Sequence, residues 1–302
     1  MSAGAGDASD STRFGRQMVL ASHDVYPGRY RTVIDREWNC PLVPHGGLVT
    51  AVAARAMGLE LENPSQRLRS ITAVFARPVQ PGAVEVDVTV LRRGRSMSQL
   101  TATVRNVGEE VGHTSLAVFG QERPGFEFTD LAAPDAPPPD ACPSFRERGP
   151  ELEERLHFNF WDHVEGRAAQ GHAPWEEYIP TTSERVAWYH FDEPPFLDGG
   201  ILDPLAVLTL CDTMPGAVSE RMGNRGPPWL PPSADLTVHL LGDAHSEWLL
   251  ARNRARHAGE GYASVELELW DPANGLVAYG TQLMLFTFPE GPPDPPLRRP
   301  PT

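Results

Sequence analysis

The stretch GGLVTAVAARAMG at residues 46–58 is apolar on nearly every side and closes on a glycine, the mark of a helix buried all round. Such a helix needs cover on every face, and the sequence after it supplies the material. Four β-type runs follow at 68–77, 83–92, 96–106 and 110–119. In the second, EVDVTVLR alternates like a strand with one buried face, and the connectors VQPG and RRGR read as turns. A further strand at 30–38 precedes the helix.

The same order returns later in the chain. Asp203 is placed to cap a helix with Pro204 at its first position, a favoured start because proline's missing N–H has no partner there in any case. The helix then runs PLAVLTLCDTM, preceded by a strand at 185–192. Strands at 234–241, 247–256, 262–270 and 277–288 follow, with a DPANG turn before the last. Thr72 and Ser115 are 43 residues apart, and Thr237 and Gln282, the pair matched to them by pattern, are 45 apart, so the chain reads as an internal duplication. The expected fold is α+β, a double hotdog of two tandem units, each a long helix wrapped by an antiparallel sheet. Two independent α+β domains on a flexible linker are the alternative.

The expected boundaries are a flexible N-terminus at 1–13, an N-terminal hotdog at 14–128, a Pro-rich linker at 129–150, a C-terminal hotdog at 151–289 and a Pro-rich tail at 290–302. The linker DLAAPDAPPPDACPSFRERGP has a composition that builds no packed element.

Composition excludes several function classes. The chain has 302 residues of which 40% are apolar, enough for a real core, and no run approaches the ~20 apolar residues of a membrane span. The N-terminus has no basic-then-apolar export pattern, so a cytoplasmic protein is expected, without membrane contact. A formal charge of -14 argues against nucleic acid. All 26 basic residues are Arg, which rules out a Schiff-base lysine and the lysine of a phosphate loop. Cys40, Cys142 and Cys211 stand far apart, so neither a zinc knuckle nor a disulfide framework is indicated. GxSxG, HExxH, GxGxxG and CxxC are all missing, so any catalysis rests on scattered residues.

Asp212 is the most unusual of these, a carboxylate inside an apolar helix that must find donors or hold a proton. It is a candidate general base, against the reading of an Asp that bonds local backbone. Gln282 lies in the apolar last strand, and Ser233 opens SADLTVHLL. The repeat matches Arg55 to Asp212 and Ser115 to Gln282, so the polar sets differ between halves and one site per chain is implied. His45, Gly46 and Gly47 open the first helix, where two glycines admit a ligand close to backbone N–H groups at a positive dipole end. The competing reading is a tight turn. Arg92, Arg93 and Arg95 flank a turn and Arg252, Arg254 and Arg256 share a strand face. Either set is a candidate for phosphates or simply a solvated face, and Cys211 reads as core.

VPHGGLVTAVAARAMG, SITAVFARPVQPGAVEVDVTVLRRGRSMS, LDPLAVLTLCDTMPGAV, SADLTVHLLG and GTQLML together resemble the double-hotdog acyl-CoA thioesterases of the thioesterase II type, over roughly residues 14–288 without the linker. The resemblance implies a hydrolase of fatty acid metabolism in which Asp212, Ser233 and Gln282 hold a water that attacks the thioester. Ser233 stands where Thr is commoner, and His45 where relatives often carry Asn. The backbone N–H near Gly47 is then the candidate donor to the thioester carbonyl, and Gly47→Val is expected to obstruct substrate while leaving the fold largely intact. No metal and no cofactor are expected. The implied partners are an acyl-CoA or acyl-carrier thioester and further copies of the chain, as a dimer or tetramer. A hotdog dehydratase or hydratase and a non-catalytic acyl-chain binder remain as alternatives.

Overall fold

Residues 11–147, 158–223 and 227–291 are described by the computed structural model of the chain. The expected flexible residues 1–10, the linker end and domain start at 148–157 and the tail from 292 lie outside them. The expected flexible end does not reach position 13, because Thr12 caps a short helix α1 (Arg13–Gln17), its side chain accepting from the Gly15 N–H.

The first half contains β1 (Ala21–Ser22), β2 (Arg29–Ile34), α2 (Gly46–Leu61), β3 (Arg67–Phe75), β4 (Gly82–Arg93), β5 (Met97–Asn106) and β6 (His113–Gly120). The second half contains β7 (Val164–Gln170), β8 (Glu184–Phe191), β9 (Phe196–Leu197), β10 (Ile201–Leu202), α3 (Pro204–Leu210), α4 (Pro215–Met222), β11 (Asp235–Leu240), β12 (Leu249–Gly259), β13 (Tyr262–Asp271) and β14 (Gly275–Leu285). Strands β9 and β10 form a small ribbon, and the other strands form one 12-stranded sheet in the order β1-β2-β4-β5-β6-β3-β11-β14-β13-β12-β8-β7. Every pairing in it is antiparallel.

The order is mirrored about the β3–β11 seam, where the Thr72 and Thr237 hydroxyls meet at 3.1 Å, 165 residues apart. That offset holds across the sheet. Leu100 pairs with Ala117 as Val265 pairs with Gln282, and Leu68 with Phe119 as Ser233 with Met284. The bulge between Val90 and Arg92 recurs between Ala255 and His257. Register therefore matches Gln282 to Ala117 and Ser233 to Leu68, and it corrects the pattern match: the counterpart of Ser115 is Gly280. Counted from the N-caps His45 and Asp203, Asp212 falls opposite Ala54 rather than Arg55, whose exposed guanidinium instead donates to the Met18 carbonyl.

Helix α2 is buried along most of its length against the inner faces of β3 to β6. It runs through Gly58, where a stop is expected, and ends where Glu62 turns left-handed at φ 51°. The second helix departs further from expectation. PLAVLTLCDTM is helical only to Leu210, then one 3-10 turn carries Asp212 at φ −89°, ψ 32°, outside helical values. Pro215 is the cause: without an N–H, and with its ring against the carbonyl four residues back, it starts α4 instead of continuing α3.

The Pro-rich segment also packs, contrary to its composition. Cys142 is buried with Val186, Trp188, Leu250 and Trp270 on the outer face of the second half. Strand side chains take up its carbonyls, with Trp188 Nε1 donating to Pro137 at 2.8 Å, Arg167 to Pro139 at 3.1 Å and Arg252 to Ala132 at 3.1 Å. A proline-rich strap suits this place because it brings few N–H groups that need partners.

Candidate active site

The first turn of α2 meets the kink between α3 and α4 more closely than any side chain would allow. A Cβ at Gly46 would stand 2.7 Å from Asp212 Oδ2 and 2.8 Å from the Phe75 ring. A Cβ at Gly47 would stand 2.5 Å from the Thr209 carbonyl oxygen and 2.9 Å from Asp212 Cβ. The two glycines thus serve the approach of one half to the other. Because a helix N-terminus has unpaired N–H groups, Gly47 N–H is available, and it donates to Asp212 Oδ2 at 2.8 Å.

The other carboxylate oxygen faces the seam strands. Gln282 Nε2 donates to Asp212 Oδ1 at 2.5 Å and to Ser233 Oγ at 2.6 Å, with Ser233 Oγ itself 3.4 Å from Oδ1. Gln282 points inward from β14, and Ser233 sits beside it at the Met284 bridge just ahead of β11. Asp212 is 9% exposed and Gln282 2%. The three convergent donors leave both oxygens of this buried carboxylate hydrogen-bonded.

His45 completes the group. Its ring stacks on Phe160 from the second half at 4.0 Å, and its Nδ1 lies 3.9 Å from Asp212 Oδ2. Burial lowers the pKa of His45 against the opposing pull of the Asp212 charge, so the imidazole is neutral at neutral pH. Two buried polar atoms here have no hydrogen-bond partner, His45 Nδ1 and Gln282 Oε1. Burial pushes the Cys211 thiol up, with Asp212 adding to the effect, and its Sγ donates to the Val207 carbonyl at 3.3 Å, so it packs as core.

All six expected residues, Asp212, Gln282, Ser233, His45, Gly46 and Gly47, therefore come together from both halves. The expected use of one of them changes: the Gly47 N–H is engaged by Asp212 and is not a free donor for a carbonyl. Gly47→Val is also incompatible with the contact, since the Thr209 carbonyl in its way is backbone.

The arginine sets lie elsewhere. Arg254 donates to Glu266 at 2.7 Å and also bonds Glu268, Arg252 bonds Glu268, and Arg256 bonds Glu266, so that strand face is internally paired. Arg93 donates to the Leu61 and Glu60 carbonyls at the far end of α2, about 20 Å from Gly46 at 1.5 Å rise per residue. Another buried carboxylate, Glu220, escaped the sequence reading because it lies in the amphipathic α4. It accepts from the His172 N–H at 3.0 Å, lies 2.5 Å from His172 Nδ1 and 3.5 Å from Arg185 Nε, a paired arrangement that braces the second half.

Comparison with known proteins follows the same division of the chain. The family model described as the acyl-CoA thioesterase N-terminal domain matches residues 34–120, and that of the acyl-CoA thioesterase C-terminal domain matches residues 139–286. A search of curated proteins returns no match. Among solved structures, a conserved protein of unknown function with a hot dog fold from Alicyclobacillus acidocaldarius is 25% identical, with a TM-score of 0.76 over 92% of this chain and 99% of that one. An acyl-CoA thioesterase II from Mycobacterium marinum is 21% identical, with a TM-score of 0.69 over 92% and 99%. A dehydratase domain from Pseudomonas fluorescens is 15% identical, with a TM-score of 0.54 over 89% and 96%. The sheet and its buried helices are of the hotdog type. No helix among the described residues is long and apolar enough to cross a membrane.

Proposed function

This chain belongs to the acyl-CoA thioesterase family, and from that premise we propose that it hydrolyses an acyl thioester, on CoA or on a carrier protein, by attack of a water that Asp212 deprotonates. The observation that carries the reading is the buried Asp212 carboxylate with Gln282, Ser233 and Gly47 converging on it. Gln282 Oε1, which has no other partner, accepts one hydrogen of that water while Asp212 takes the other. The water oxygen bonds to the thioester carbon, the C–S bond breaks, and the proton held by Asp212 passes to the departing sulfur. The products are a free acid and a thiol.

Ser233 keeps the Gln282 amide turned toward the carboxylate. Gly46 and Gly47 let the first turn of α2 close on Asp212 at this corner, and the neutral His45, with its partnerless Nδ1, donates to the substrate carbonyl in place of the Gly47 N–H. In the same reading the mirrored sheet is a double hotdog of two tandem units with one active half, in which Leu68 and Ala117 stand where Ser233 and Gln282 are needed. The chain works in the cytoplasm as a dimer or tetramer.

The His45–Asp212 pair at 3.9 Å favours a second reading, dehydration or hydration at the substrate's carbons, which leaves Gln282 and Ser233 without a task. Thiol release measured over short, medium and long acyl-CoAs, with product analysis, tests the choice. Free thiol supports hydrolysis, enoyl or hydroxyacyl products support the second reading, and binding without turnover refutes both.

A further inference from the structure

We infer that His113, Ser115 and Thr50 form a recognition point for a hydroxyl on the acyl chain, so that the preferred substrate is a hydroxyacyl thioester; this rests on the hydrolytic reading above. His113 and Ser115 face the interior from β6 at 1% exposure each, and Thr50 is fully buried on α2. His113 Nε2 lies 2.9 Å from Ser115 Oγ and 3.5 Å from Thr50 Oγ1. His113 Nδ1 is buried and has no partner.

The fold does not require this group. At the 165-residue offset the second half carries Ala278 opposite His113 and Gly280 opposite Ser115, so neither the imidazole nor the hydroxyl recurs there. A buried polar atom left unpaired costs stability, so a core position that apolar residues fill elsewhere in the same sheet holds a liability unless something binds it.

The group also adjoins the carboxylate. Thr50 Oγ1 donates to the Gly46 carbonyl at 2.8 Å, tying it to the turn that holds Asp212. The Phe75 ring is edge to face with His113 at 4.8 Å and touches the space beside Gly46 that Asp212 Oδ2 also borders. One aromatic ring thus separates His113 from Asp212. An acyl chain that starts at the Asp212 corner and runs between α2 and the inner face of β6 passes these three side chains.

Tautomer logic selects the chemical group. Burial pushes the His113 pKa down to about 3, so the ring is neutral and an anion gains nothing there. Thr50 gives its hydrogen to Gly46, so toward Nε2 it only accepts, whereas Ser115 can donate or accept. If Nε2 carries the hydrogen, Nδ1 needs a donor; if Ser115 donates to Nε2, Nδ1–H needs an acceptor. A hydroxyl meets either need, a ketone only one, and an alkyl chain neither.

The test measures kcat/KM for acyl-CoAs of one chain length, unsubstituted or with a hydroxyl on the third, fourth or fifth carbon, for the wild type and for His113→Leu and Ser115→Ala. One hydroxyl isomer is expected to exceed the unsubstituted chain by on the order of 10-fold or more, the ratio that a single buried hydrogen bond supplies. In His113→Leu the ratio falls to about one. Ser115→Ala, a milder change that frees Nε2, lowers it in part and serves if His113→Leu does not fold. Equal rates for all isomers in the wild type, or an undiminished ratio in the folded variants, overturn the inference while leaving hydrolysis standing. Failure to hydrolyse any of the thioesters overturns the functional reading itself, and this inference with it.

Discussion

Asp212→Asn removes a proton acceptor and adds a donor at a point where donors already converge. Gly47 N–H holds Oδ2 at 2.8 Å and Gln282 Nε2 holds Oδ1 at 2.5 Å. Asparagine keeps an oxygen for only one of them. With that oxygen toward Gly47, whose backbone cannot turn, its Nδ2 faces Gln282. The Gln282 amide can turn over, because its Oε1 has no competing partner, and then Oε1 accepts from both the new amide and Ser233. The turned Nε2 then takes the place of Oε1, where no partner waits, so one buried amide group is left unpaired and the stability loss is about 1–3 kcal/mol. The rate responds differently, since an amide cannot take a proton from water. Loss of a general base lowers hydrolysis by on the order of 10²- to 10⁴-fold, about 3–5 kcal/mol of barrier. The two effects are separable in a thiol-release assay run beside a thermal melt. A folded Asp212→Asn protein that hydrolyses within about tenfold of the wild type refutes the assignment of Asp212 as base.

Gln282→Ala should slow the same assay by less than Asp212→Asn, and the double variant should lose less than the product of the single effects, because both residues act on one water; full multiplicativity would separate them. Gly47→Ala should lower the melting temperature through an overpacking penalty of roughly 1–3 kcal/mol, since the new Cβ meets the Thr209 carbonyl, and an unchanged melt would show that the α2–α3 contact yields freely. Glu85 is held at a pKa of about 2 by Arg105 and Arg31, below the ordinary glutamate value of 4.5. Its contribution is therefore present above that value and lost as pH falls through about 2. In urea melts the advantage of wild type over Glu85→Gln should be full near pH 6 and vanish by about pH 2; a constant advantage across that range refutes the assignment.

What the sequence disclosed was whatever periodicity encodes. The apolar run of α2, the alternation in EVDVTVLR and the recurrence of that order after Asp203 depend only on local pattern, and they led to strands within a few residues of those in the sheet. Asp212 stood out because a carboxylate in VLTLCDTMPG violates the pattern around it. The kink at that residue was also written there, in Pro215, but a run of apolar residues outweighed it. Register was not legible. The duplicated strands share an offset of 165 that their matched bulges preserve, and a match on alternation alone slid Gln282 onto Ser115 by two residues, one full period of a strand, which leaves the alternation unchanged. The Pro-rich strap was misread because its stabilisation comes from tryptophan and arginine donors far away in sequence. His113 carried no local signal, since a histidine between Gly112 and Thr114 becomes unusual only when its Nδ1 is found buried and unpaired.

The two halves explain why so few polar residues suffice. A single unit of this kind surrounds its helix with sheet, so a carboxylate placed on the helix would face apolar strands. Joining the halves at β3–β11 brings the N-terminus of α2 against the flank of α3, and the groups that hydrogen-bond Asp212 then come from three directions: an N–H from the first half, an amide from β14 and a hydroxyl from the seam. The first half gives glycines and the second gives a kink, and neither is of use without the other. Register offset makes the asymmetry necessary as well as convenient. A second carboxylate opposite Asp212, at Ala54, would find Leu68 and Ala117 where the donors should be, and would be an unpaired buried charge costing several kcal/mol. On the proposed reading, one site per chain is thus the arrangement that stability permits, and it leaves His113 and Ser115 in the first half without a part in holding the water.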